Sequence, residues 1–248
     1  MTRARPVALL AAAMLLSTAP DGVLPAQAAR TAAAPVAGDS AARRELVVLV
    51  HGMGRSAFSM RPLAKALEDD GYDVLSFGYS SYCCGIPELG SRLRAAVDAR
   101  MTGDISAVHF VAHSLGGILV RWLLTRDTLP PHVGRVVMLA PPNQGAASAD
   151  RYAGVAGWLL RPIDGLRTDS SSTVRQLPPV RGVEIGVIAA RDDRTVRVME
   201  THLDEEAAHI MVGGGHTFIM RRPDVIERTR EFLRSGTFAI TSPPIPEP

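Results

Sequence analysis

Residues 108–122 read Val-His-Phe-Val-Ala-His-Ser-Leu-Gly-Gly-Ile-Leu-Val-Arg-Trp, and the chain changes character in the middle of that run. Residues 108–112 are mostly apolar, as a buried strand requires. Leu115, Ile118, Leu119, Trp122 and Leu123 instead recur at i, i+3, i+4, i+7 and i+8, the spacing of one helical face. The change from strand to helix therefore falls at Ser114. So tight a turn needs small neighbours, and Ala112 and Gly116 stand two residues to either side. Ser114 is left projecting at a helix start, where unpaired N–H groups and a partial positive charge favour an oxyanion beside a serine nucleophile.

Upstream, residues 45–50 (Glu-Leu-Val-Val-Leu-Val) predict a short buried parallel strand that ends in His51-Gly52-Met53-Gly54. Met60, Leu63 and Leu67 predict a helix over residues 56–70 closed by Gly71. Residues 73–79 predict the next strand. The loop over residues 80–85, which carries the only two cysteines, Cys83 and Cys84, should then lie at the same sheet end as Met53, where it could wall a cleft. Pro87 opens a helix whose Leu89, Leu93, Ala96 and Val97 share a face, and Gly103 closes it.

Downstream, residues 134–140 predict a strand broken by Pro141-Pro142, followed by an Asn143-Gln144-Gly145 turn. Over residues 145–181 the strand-helix rhythm lapses, leaving an insertion or an ordinary surface loop. Residues 183–190 restore it and run into Asp192-Asp193. Residues 208–212 give the last strand before Gly213-Gly214-Gly215-His216. Pro223 and Asp224 suit the first turn of a closing helix with Val225, Ile226, Thr229 and Leu233 on one face. Such alternation predicts an α/β domain, a mostly parallel sheet of about six strands with helices on both faces.

At these residues the sequence resembles the α/β-hydrolase superfamily in its lipase and esterase branch, and within it bacterial lipase-like hydrolases related to inositol deacylases. The nucleophile elbow G-x-S-x-G is matched by Ala112-His113-Ser114-Leu115-Gly116, with alanine for the first glycine. The His-Gly turn, the Asp-x-x-Val pattern of Asp193 and Val196, and His216-Thr217-Phe218 follow in the family's order, each at a strand end. The resemblance implies a triad of Ser114, Asp193 and His216, in the order Ser, Asp, His, and an oxyanion hole from the N–H groups of Met53 and Leu115. Asp192 fails the Asp-x-x-Val pattern and reads as a solvated loop residue. The activity implied is hydrolysis of carboxylic esters through an acyl-enzyme, and the insertion over residues 145–181 would form a small cap over the cleft. The same fold also hosts thioesterases, acyltransferases and binding proteins without catalysis.

Of the seven histidines, His109 and His209 sit in strand patterns as core or surface filling, and His132 and His202 read as solvated. His113 should point away from Ser114 in a structural role, and His51 reads as a turn residue bonded to nearby backbone. The sequence has no G-x-G-x-x-G, Walker lysine or H-E-x-x-H motif, so it calls for no nucleotide, metal or other cofactor.

The 248 residues, 46% hydrophobic and 21% charged, suit one soluble domain. A net charge of +2 with the charges scattered asks for no nucleic acid. The expected partner is an ester or lipid substrate, with transient contact to a lipid surface, for a monomer. Arg3 and Arg5 precede an apolar run at residues 7–16, and Ala26-Gln27-Ala28 offers a cleavage point, so residues 1–28 read as a secretory signal peptide. That run is shorter than the 18 or so apolar residues that span a bilayer. Residues 29–43 read as a linker, 44–236 as the hydrolase domain and 237–248 as a Pro-rich tail. An exported chain meets oxidising conditions, which leaves Cys83 and Cys84 open to a vicinal disulfide, to two thiols or to a link with another molecule.

Overall fold

The computed structural model describes residues 44–126, 132–156 and 159–239. The expected signal peptide and nearly all of the linker and tail lie outside them. Six strands form one parallel sheet: β1 (Arg44–Val50), β2 (Asp73–Phe77), β3 (Ile105–His113), β4 (Val133–Leu139), β5 (Ile185–Ala190) and β6 (Ala208–Val212). Their order is β2-β1-β3-β4-β5-β6. Parallel neighbours need crossovers, and the helices supply them: α1 (Arg61–Asp69), α2 (Ile86–Asp98), α3 (Leu115–Leu124), α4 (Ala147–Ala156), α5 (Thr173–Gln176), α6 (Val198–Thr201) and α7 (Pro223–Ser235). Among the described residues no helix is long and apolar enough to cross a membrane.

Strand alternation sorts the core into two layers. Val48, Val50, Phe110, Ala112 and Met138 pack with α2 and α3 on one face. Val47, Leu49, Val111, Val137 and Leu139 pack with α1 and α7 on the other. Both layers are dry, with Val47, Val48, Phe110 and Val137 wholly buried. Each such side chain contributes about 1.5–3 kcal/mol by leaving water. At the α2 and α3 contact, a Cβ on Gly90 would sit 2.2 Å from the Trp122 ring, so the glycine makes room for the indole.

The sequence reading differs from the fold mainly at element edges. The helix expected over residues 56–70 is a 3-10 turn (Ala57–Met60) followed by α1, because Pro62 fits only the first turn of an α-helix. α2 ends at Asp98, earlier than Gly103 suggested. β3 begins at Ile105, through the half-buried Ser106 and Ala107, which the apolar count did not include. The interval over residues 145–181 holds α4, a 3-10 turn (Ile163–Leu166) and α5, a small cap.

Candidate active site

β3 ends at His113 and α3 begins at Leu115, so Ser114 alone makes the turn, at φ 53° and ψ −124°. That conformation is sterically expensive for a residue with a side chain, by about 1–3 kcal/mol, and the surrounding core holds it there. Gly116 shows why the turn needs glycine: a Cβ would meet the Val50 carbonyl oxygen at 2.4 Å and that of His51 at 2.8 Å. Ala112 is wholly buried, and its single methyl is accommodated where the family pattern has glycine.

His216 starts the 3-10 turn (His216–Arg221) that follows β6 and three glycines. Its Nε2 lies 2.9 Å from Ser114 Oγ and its Nδ1 2.6 Å from Asp193 Oδ2. A carboxylate at Nδ1 keeps the proton there, which leaves the Nε2 lone pair facing the serine hydroxyl. Asp193 follows β5, and its side chain is wholly buried. Its second oxygen, Oδ1, accepts the N–H groups of Thr195 at 2.7 Å and Val196 at 2.8 Å. The Asp-x-x-Val spacing is thus a turn in which the carboxylate binds the backbone that follows it. Asp192 is exposed, yet it does more than face solvent: its Oδ2 accepts the N–H of Gly214 at 3.1 Å, and its own N–H bonds the Gly214 carbonyl at 3.0 Å. One aspartate binds the imidazole and its neighbour ties down the glycines that carry it.

The His51–Gly54 turn is held from three sides. His51 Nδ1 donates to the Gly52 carbonyl at 2.9 Å and its ring stacks on Tyr79 at 4.2 Å. The Tyr79 hydroxyl donates to the His51 carbonyl at 2.7 Å, and the N–H of Gly54 reaches Ser81 Oγ at 2.9 Å. Burial pushes the Tyr79 phenol far above its ordinary range and the His51 imidazole below its own, so both are neutral fixtures. Among the described residues the N–H groups of Met53 and Leu115 take no protein acceptor. Two unused donors beside a serine hydroxyl are what an oxyanion hole requires.

The loop over residues 80–85 does lie at this sheet end, but it does not line the cleft. It braces the His51–Gly54 turn through Ser81, and its cysteines are joined as a vicinal disulfide. His113 makes a structural contact: its Nε2 donates to the His216 carbonyl at 3.0 Å. Burial first, and the neighbouring His216 ring second, hold His113 well below the ordinary histidine value.

The Asn143-Gln144-Gly145 turn is structural. Asn143 Nδ2 donates to the Thr201 carbonyl at 2.8 Å, while the buried Arg121 guanidinium donates to the Asn143 carbonyl at 2.9 Å. Gly145, at φ 81°, passes so close to Arg167 that a Cβ would lie 2.4 Å from its carbonyl oxygen. The turn thereby ties α3, β4, the cap and α6 together behind the site.

A cleft of about 410 Å³ opens beside Ser114 and Met53. Leu160, Ile163 and Leu166 from the cap and Val196 from the loop after Asp193 make it largely apolar. Its size falls within the range of small-molecule sites.

His202, Glu206 and His209 form a cluster, although their spacing matches no metal motif. His202 Nδ1 bonds Glu206 at 2.8 Å, and His209 Nε2 lies 2.9 Å from the Thr201 hydroxyl. The two rings stack face to face at 3.9 Å, so their in-plane lone pairs run side by side and do not converge on a common ion.

A family model described as alpha/beta hydrolase fold matches residues 45–159. Solved structures extend the likeness over the rest of the domain. A lipase of Bacillus licheniformis in its mature form is similar with a TM-score of 0.62 and 17% identity, over 79% of this chain and 93% of that one. An esterase of Pyrococcus furiosus follows at 0.56 and 18%, over 77% and 82%. A lipase-esterase related protein of Clostridium acetobutylicum gives 0.54 and 17%, over 76% and 94%. No curated protein matches the chain by sequence. The chain has the α/β-hydrolase fold, and within it Ser114, His216 and Asp193 stand in the geometry of a catalytic triad.

Proposed function

We propose that the protein is an exported serine hydrolase that cleaves carboxylic esters. The observation that carries this reading is the unbroken chain from Ser114 Oγ through His216 to the buried Asp193, with contacts of 2.9 and 2.6 Å. In the first half-reaction His216 Nε2 takes the Ser114 proton as Oγ bonds to the ester carbonyl carbon. Asp193 steadies the imidazolium, and the N–H groups of Met53 and Leu115 receive the charge on the carbonyl oxygen. The ester C–O bond breaks, and the alcohol leaves with the proton held by His216. Water then attacks the acyl-enzyme by the same route, releasing the acid and restoring Ser114.

The largely apolar cleft beside Ser114, and the lipase and the esterase among the similar structures, support carboxylic esters as the substrate. Export is supported by Arg3 and Arg5 ahead of the apolar run at residues 7–16. A panel of p-nitrophenyl esters of rising acyl length tests the reading. The wild-type protein should hydrolyse part of the panel, and Ser114→Ala should lower turnover by a factor on the order of 10⁴ or more. Equal activity in the two proteins would refute it.

A further inference from the structure

The cleft beside Ser114 is apolar on its walls, but its charged side chains all have one sign. Arg151, on α4 of the cap, and Arg194, next to Asp193, both line it, and among the described residues no aspartate or glutamate does. Both residues are exposed. Elsewhere in the chain Arg44 pairs with Asp73, Arg135 with Glu184, Arg222 with Asp224 and Arg230 with Asp70. Among the described residues, Arg151 and Arg194 have neither an ion pair nor a side-chain hydrogen bond. Asp150, the acid nearest to Arg151 in sequence, is committed elsewhere, accepting the N–H and the hydroxyl of Thr168. Glu200, the nearest acid after Arg194, is bound by Arg197 and by the N–H of Ala147.

Two uncompensated cations at the rim of one low-dielectric cleft concentrate positive potential where the substrate enters. A guanidinium offers a planar fork of donors that matches a carboxylate or a phosphate group. The two arginines also come from different walls, Arg151 from the cap and Arg194 from the loop after β5, so an anion between them would bridge the cap to the domain body.

We propose that the preferred substrates are esters that carry a negative charge, a carboxylate or phosphate group held by Arg151 and Arg194 while the apolar part of the molecule fills the cleft. This rests on the ester-hydrolase reading and narrows its substrate class.

The test compares kcat/KM for charged and neutral members of matched pairs. In one arm the charge lies on the acyl side: mono-p-nitrophenyl suberate against methyl p-nitrophenyl suberate. In the other it lies on the leaving side: the octanoate ester of 4-hydroxybenzoate against that of methyl 4-hydroxybenzoate. Dividing each variant's ratio by the wild-type ratio removes intrinsic reactivity. In at least one arm, Arg151→Gln combined with Arg194→Gln should lower the charged-over-neutral ratio about tenfold, and 0.5 M salt should erode the wild-type preference. Lysine at both positions should restore part of it. The arm that responds tells which side of the ester carries the anion. An unchanged ratio in both arms, with neutral esters still cleaved, overturns the proposal and leaves the hydrolase reading intact. If no ester is cleaved, the hydrolase reading fails. Calorimetric titration with the uncleaved monoester then decides the anion site: binding lost in the double variant supports it, and no binding to the wild-type protein overturns it.

Discussion

The ring of His113 donates through Nε2 to the backbone carbonyl of His216 at 3.0 Å, so the residue just before Ser114 holds the loop that carries the His216 imidazole. The two rings lie 4.8 Å apart, and His113 also packs against Gly52, where a Cβ would come within 2.8 Å of its Nδ1. One buried imidazole thus touches the elbow, the His51–Gly54 turn and the His216 loop. Replacing it with leucine should leave the His216 carbonyl without its donor at a cost of about 1–3 kcal/mol. Loosening of His216 should lower kcat more than it raises KM. Steady-state kinetics with urea unfolding checks both, and unchanged kcat would show that the contact does not position the base.

Acid should weaken the fold through the same residue. Burial holds the His113 pKa well below 6.5 in the folded protein, while the unfolded chain titrates at about 6.5. The unfolded state therefore binds more protons as pH falls through that value, so stability is fullest above it and declines below. His51, His109 and His209 are shifted in the same direction, chiefly by burial, and add to the slope. The urea midpoint should fall between about pH 7.5 and 5.5, and less steeply in His113→Leu. A midpoint that is flat or rises on acidification would contradict this.

The two neighbouring aspartates should separate cleanly. Asp193→Asn removes the acceptor that fixes the His216 tautomer and should lower kcat by a factor on the order of 10⁴. Asp192→Asn keeps an oxygen that can accept from Gly214 and should cost less than about tenfold. Equal losses from the two variants would refute the assignment.

Gly116→Ala should be among the most damaging small substitutions. Its methyl would meet two backbone carbonyl oxygens, neither of which can rotate away. Forcing it in should cost about 1–3 kcal/mol and shift the start of α3, with it the Leu115 N–H, so activity should fall further than stability does. Thermal unfolding beside kcat reads the difference. A fully active variant would mean that the elbow is looser than its contacts imply.

The Cys83–Cys84 bridge should be visible as a gain of two hydrogens in intact mass on reduction. It joins adjacent residues, so it removes little chain entropy from the unfolded state, and the unfolding temperature should barely move. Reduction should act instead on kcat, because Ser81, two residues before Cys83, bonds the N–H of Gly54 beside the proposed oxyanion donor Met53. No mass gain would show two thiols.

Most of this site could be read from the chain because each part lies where a periodic element stops. The strand-to-helix change at Ser114, the Asp-x-x-Val spacing at Asp193 and the glycines before His216 are local signals, and the fold brings all three to one sheet end. β6 is a run of five residues that stops at three glycines, and its limits are legible to the residue. What stayed hidden depends on partners distant in sequence. Nothing near Ser81 announces its bond to Gly54, 27 positions away, and Asp192 looked merely solvated because its partner Gly214 is 22 positions on. The cap was unreadable for another reason. α5 and the 3-10 turn before it have four residues each, too short for a helical period to show, and α4 faces an open cleft, which weakens its apolar stripe. The stacking of His202 on His209 likewise depends on the turn between α6 and β6, which no spacing rule encodes.

The proposed activity requires one chemical property, a serine hydroxyl made nucleophilic by its neighbours. Treating the folded protein with a fluorophosphonate and mapping the adduct by mass spectrometry measures that property directly. A single adduct on Ser114, absent from Ser114→Ala and strongly slowed in His216→Ala, is the result expected. An unlabelled Ser114 in folded protein, or equal labelling with His216 removed, would contradict it.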